Sequence, residues 1–121
     1  MKYLLLILFI LISLKVHSLE LTLSQGTVKP TPIAITNLFS NNTTLDKLGR
    51  NISSVISDNL ERSGLFIPID QKAFIQSVES LSNQPRFEDW KILKAQHLVA
   101  GKIESNNNNI SIEFRLFDVF A

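Results

Sequence analysis

The sequence contains no cysteine. That absence excludes a disulfide framework, thiolate zinc or redox sites, and a lipid-anchored cysteine behind a leader. Glycine is scarce, with four residues scattered singly, so no glycine-rich loop can cradle a phosphate. Of the two histidines, His17 lies in the leader described below. His97 is left alone, which excludes a paired-histidine metal site in the remainder. Excess charge of either sign is also missing. Without the leader's Lys2 and Lys15, ten basic residues face eleven acidic ones. A near-neutral domain has no electrostatic reason to bind nucleic acid or an anionic membrane.

Long apolar runs are absent apart from one. Leu4 to Leu14 follows the basic Lys2 and precedes Val16 and Ser18, small enough for a cleavage site after Ser18. Charge, apolar core and small residues in that order are a secretory signal, assigned to residues 1–18. The run is too short to span a bilayer, which takes about 18 or more apolar residues. An uncleaved anchor is the competing reading, which the flanks and length disfavour. Residues 19–121 are then expected as one soluble, exported domain with a modest core and no transmembrane segment.

Leu19-Glu20-Leu21-Thr22-Leu23-Ser24 alternates apolar and polar residues, the period of a half-buried strand, and Gln25-Gly26 breaks it. Pro30 and Pro32 favour extended backbone before a second strand over 33–39. Leu45, Leu48, Ile52, Val55, Ile56 and Leu60 recur at helical spacing and predict an amphipathic helix over 44–63. Thr43 with Asp46 resembles a capping box, and Gly64 is a natural left-handed stop. A short strand is predicted over 65–69, with Pro68 suited to a sheet edge. Phe74, Ile75, Val78 and Leu81 predict a helix over 71–81, and a further short helix follows Pro85. Residues 96–104 and 110–118 read as a hairpin about an asparagine-rich turn. A βαβ unit plus an antiparallel strand predicts an α/β fold, a mixed sheet with helices packed on it.

No pattern for catalysis, cofactor binding or metal ligation emerges. Ser63 and Ser111 lack a nucleophile elbow. Glu88-Asp89 are helix neighbours that point apart and suit the first turn after Pro85. Phe66 and Trp90 are expected in the core. Glycosylation sequons begin at Asn42, Asn51 and Asn109, as chance allows in a chain this rich in asparagine and serine.

Several segments, in order, resemble the amino-terminal domain of the TolB family of the Tol-Pal envelope system. They are Pro32-Ile33-Ala34-Ile35, the run Asn59-Leu60-Glu61-Arg62-Ser63-Gly64-Leu65-Phe66-Ile67-Pro68-Ile69-Asp70, the aromatics Phe87 and Trp90, Leu98 to Ile103, and Leu116-Phe117-Asp118-Val119. Asn59 departs from the family's usual aspartate, and Asn37 stands near a position that is often proline. The resemblance implies a TolB amino-terminal, anticodon-binding-domain-like fold. It also implies a periplasmic, non-enzymatic role in outer-membrane integrity, cell division and protein import. By position, Leu19, Glu20, Leu21, Thr22, Leu23, Ser24, Gln25 and Gly26 correspond to the family's TolA-binding stretch; an ordinary edge strand is the plainer reading of the same residues. Most of the family's Pal-binding surface lies on a β-propeller absent from this sequence. Family members continue with another strand and helix, so the fold is expected to be incomplete at its C-terminus. Strand 110–118 would then have an open edge with apolar residues exposed, and the isolated domain would be poorly stable. A non-functional fragment of a split or truncated gene, and a small secreted enzyme, are the alternatives.

Overall fold

A computed structural model describes residues 3–4 and 29–121. Among the described residues four strands are formed: β1 (Thr31–Ile35), β2 (Phe66–Pro68), β3 (His97–Asn106) and β4 (Asn109–Asp118). Their order in the sheet is β2-β1-β3-β4. β1 pairs in parallel with both β2 and β3, and β3 pairs antiparallel with β4 along its whole length. This is the expected mixed α/β sheet. The predicted strand over 19–24, and the leader over 1–18 apart from residues 3–4, lie outside the described residues.

Between β1 and β2 runs α1 (Thr43–Arg62). Its N-cap is Asn42, not Thr43: the Asn42 Oδ1 accepts from the Thr44 amide at 3.0 Å and the Thr44 hydroxyl at 2.7 Å. An asparagine one residue earlier satisfies the open first turn, which leaves Thr43 free to be helical. At the other end Gly64 adopts φ +75° and its N–H returns to the Glu61 carbonyl at 3.0 Å, the left-handed stop its position predicts.

The buried face of α1 is narrower than its apolar stripe. Leu45, Gly49 and Ser53 are buried, whereas Leu48 and Val55, placed on the same stripe by spacing, are 37% and 58% exposed. Small residues at 49 and 53 let the helix approach the sheet closely: a Cβ on Gly49 would come within 3.1 Å of the Leu38 carbonyl oxygen. Ser53 donates to the Gly49 carbonyl at 3.0 Å and accepts from the Leu38 N–H at 3.2 Å. That second bond explains why β1 ends at Ile35 rather than Phe39. The Leu38 amide turns to the helix, and the chain rejoins β3 only at a Phe39–Lys102 bridge.

The other face of the sheet carries the second part of the core, where Ala34, Leu98 and Val119 enclose Trp90 and Ala95. Here the predicted helix over 71–81 is broken. A 3-10 turn (Gln71–Ala73) precedes extended backbone at Phe74, and only α2 (Val78–Leu81) is helical. Gln76 is the cause. Its side chain is 3% exposed, and its Oε1 accepts from the Trp90 indole N–H at 2.9 Å and the Arg86 N–H at 2.8 Å. Its Nε2 donates to the Gln84 carbonyl at 3.2 Å. Turning this polar residue inward, and setting Phe74 edge-on to Trp90 at 5.0 Å, outweighs a regular helix. Trp90 sits on α3 (Phe87–Ile92), the helix expected after Pro85.

Candidate interaction surface

β3 and β4 are joined by Asn107 and Asn108, both at positive φ (47° and 68°). This two-residue turn matches the twist of the strands, and asparagine tolerates its left-handed backbone. The turn sets the register in which Ile103 faces Ile112, Gly101 faces Phe114 and Val99 faces Leu116. Ile110, Ile112, Phe114 and Leu116 therefore share the face on which α1 packs.

The helix does not reach them. It covers β1, β2 and the near side of β3, and all four side chains stay exposed, from 41% for Ile112 to 67% for Leu116. Between them and the helix flank lies an open apolar groove of about 370 Å³, lined by Ile52, Val55, Ile56, Asn51 and Phe114. Leu48 and Val55, left over from the α1 stripe, flank the same uncovered side. Among the described residues β4 has β3 as its sole partner, so its outer edge presents unpaired backbone groups beside an apolar stripe.

The opposite face of the hairpin is charged. Glu113 accepts from Arg115 at 3.0 Å and lies 3.6 Å from Lys102, which also approaches Glu104 at 3.6 Å. The Arg115 hydrogen bond, then the Lys102 charge, hold the Glu113 carboxyl below the usual glutamate range.

Of the groups weighed for catalysis, Ser63, Glu88 and Asp89 make local contacts. Ser63 donates to the Leu60 carbonyl at 2.6 Å within the turn that stops α1. Glu88 pairs with Lys91 at 3.2 Å and Asp89 with Arg86 at 2.9 Å, both along α3. Ser111 lies exposed on β4. His97 opens β3 with its ring edge against Phe66; its buried Nδ1 has no protein partner. Among the described residues no three His, Cys, Asp or Glu side chains gather as metal ligands, and no helix is long and apolar enough to cross a membrane. The partner segment expected from the sequence, Leu19 to Gly26, lies outside the described residues. The apolar groove along α1 was not foreseen as a feature; its signal was the excess width of the helix stripe.

Fold and surface together define a small mixed-sheet α/β domain with an apolar groove between its long helix and its last strand. Comparison with known proteins gives it a family. The model of the TolB amino-terminal domain matches residues 19–121, and the chain belongs to that family. The Tol-Pal system protein TolB of Paramagnetospirillum magneticum is 48% identical over 102 residues, covering 84% of this chain and 23% of that protein. The protein of the same name from Pelagibacter ubique is 40% identical over 125 residues, covering 95% and 28%. The crystal structure of TolB from Acinetobacter baumannii shares the fold, with a TM-score of 0.58 and 21% identity over 76% of this chain and 20% of that one. The chain thus spans about a quarter of the length of the curated relatives it matches.

Proposed function

We propose that this chain acts in the Tol-Pal system as a periplasmic, non-enzymatic interaction module, exported by residues 1–18, and that Leu19 to Gly26 engage TolA. The observation that carries the reading is the family match, which begins at residue 19 and so includes this segment, in relatives that are themselves Tol-Pal system proteins. The physical support is the alternation of Leu19, Leu21 and Leu23 with polar residues, which suits a strand added to a partner's sheet edge. Roles in outer-membrane integrity, cell division and protein import follow from membership of the system. Pal is not assigned to this chain, because the resemblance places most of that contact on a propeller. The test is capture of the chain on immobilised TolA, with and without residues 19–26. Retention of the full chain, and a loss of at least about tenfold in affinity on deletion, is expected. Equal retention of both would refute the role of the segment.

A further inference from the structure

We propose that the polar cleft between α1 and the carboxyl ends of β1 and β2 binds an uncharged, polyhydroxylated ligand of monosaccharide size. The cleft takes no part in the reading of residues 19–26 above. Three observations carry the proposal.

The first is place. The cleft holds about 450 Å³, within the range of about 300–1,000 Å³ usual for small-ligand sites. Ile35 and Pro68, the last residues of β1 and β2, line it together with Ile69. Open α/β sheets bind their ligands outside the carboxyl ends of the parallel strands. The described chain enters and leaves the fold at the opposite end of the sheet. The Thr31 N–H, at the start of β1, meets the Leu65 carbonyl before β2, and the Val119 N–H, just past β4, meets the Gln96 carbonyl before β3. The walls of the cleft come from one continuous stretch, residues 35–71, and are shaped by its own contacts.

The second is which polar groups are free. The Gln71 Nε2 donates to the Ile35 carbonyl at 3.0 Å and to the Asn37 Oδ1 at 3.1 Å. This clamp fixes both amides and leaves the Asn37 Nδ2 as a donor and the Gln71 Oε1 as an acceptor. Across from them α1 presents Arg50, Ser54, Ser57 and Asp58, whose spacing sets them along one flank. Among the described residues the ion pairs lie on α3 and on the hairpin, so neither Arg50 nor Asp58 belongs to one. Among the same residues the Ser54 and Ser57 hydroxyls have no protein partner.

The third is the mixture of sign. An anion drawn to Arg50 meets Asp58 and Asp70 in the same cleft, and a cation drawn to them meets Arg50. A free amino acid carries both charges, but only a few bonds apart. Arg50 and Asp58 stand more than two turns apart on α1, about 12 Å along its axis. A sugar hydroxyl both donates and accepts. A ring of hydroxyls can therefore satisfy guanidinium, amides, serines and carboxylate together, with its C–H face against Pro68 and Ile69.

The test is titration of the full-length, isotope-labelled chain with glucose, galactose and mannose, followed through its backbone amide NMR shifts. At least one sugar should give saturable shifts at Asn37, Ser54, Ser57 and Gln71, with a Kd of about 10 mM or tighter. Maltose beside glucose distinguishes the sources of the ligand: the disaccharide binds more tightly where the cleft takes the end of a glycan chain, and no more tightly where it takes a free sugar. Ser57→Leu fills the cleft from the side of α1 and should abolish the shifts. Asp58→Ala removes one acceptor from an exposed position and should weaken binding by about fivefold or more. Far-UV circular dichroism checks the fold of each variant. No response to any of these sugars up to about 100 mM would overturn the proposal. Equal shifts at the same residues from acetate, ethylammonium or glycine would do so too, as would binding unchanged in both folded variants.

Discussion

The side chain of Gln76 is the internal polar group on which the irregular segment between β2 and β3 depends, and Gln76→Met tests that dependence. Methionine keeps the length and volume and removes the amide. Two donors then lose their acceptor. The Trp90 indole N–H belongs to a side chain with no exposed surface, so no water replaces Oε1. The Arg86 N–H is part-buried and recovers part of its loss from solvent. A buried donor left unpaired costs about 1–3 kcal/mol, and the half-solvated one adds about half as much, for a total of about 2–4 kcal/mol. A domain of this size holds roughly 5–10 kcal/mol in all, so the midpoint in urea should fall sharply and the melting temperature by at least about 8 °C. Urea denaturation followed by far-UV circular dichroism avoids using Trp90 itself as the probe. A double-mutant cycle with Trp90→Phe, which removes the indole N–H, should return a coupling of about 1 kcal/mol. A cost below about 0.5 kcal/mol for Gln76→Met, or no coupling in the cycle, would refute the assignment of Gln76 as the reason the predicted helix breaks.

Two glycines should answer differently to alanine. A Cβ at Gly101 would sit on the backbone carbonyl oxygen of Glu113, which cannot yield without parting β3 from β4, and 2.8 Å from Leu38 Cδ2; about 3 kcal/mol should be lost. A Cβ at Gly64 meets open space, and only its φ of +75° resists, at about 1–2 kcal/mol. Thermal melts of both variants would contradict this account if Gly64→Ala proved the more damaging. Acid should act through Glu113. Its folded carboxyl titrates below the ordinary glutamate value of about 4.3, so its contribution is complete above that pH and is lost as pH falls through the depressed value. Arg115→Gln should therefore lower stability near neutrality and leave it little changed at about pH 3, with the difference shrinking in about 1 M salt. A difference that grew towards acid would reverse the sign of the argument.

Much of this fold was legible because its signals are local. The alternation of Ile110 to Arg115, the asparagine turn, and the Ser63-Gly64 stop each specify geometry through their own backbone preferences, and the structure forms them where they were expected. What was not legible depends on partners distant in sequence. The Leu38 N–H leaves the strand because a serine fifteen residues on offers it an acceptor. The helix over 71–81 fails because Gln76 finds Trp90 and Arg86 across a loop. Neither bond has a period, so helical spacing overruled them in the sequence. The interaction surface divides in the same way. The apolar face of β4 could be expected from its alternation, whereas the groove beside it needs the position of α1, which only packing reveals.

That groove also bears on how a domain of this kind can meet other proteins. An amphipathic helix usually buries its whole stripe against its own sheet. Here Gly49 and Ser53 draw α1 down onto Leu38 and onto Ile103 of β3 and roll the contact towards the Leu45–Ser53 line, which leaves Leu48 and Val55 exposed. Among the described residues the same roll leaves β4 outside the helix contact, so the exposed apolar surfaces of helix and strand adjoin. Apolar surface divided among scattered residues would be ordinary; among the described residues it is gathered along one strand beside the helix flank. Replacing Gly49 or Ser53 with larger residues would hold the helix away from Leu38 and disturb the core and this surface at once, since both rest on the same close approach.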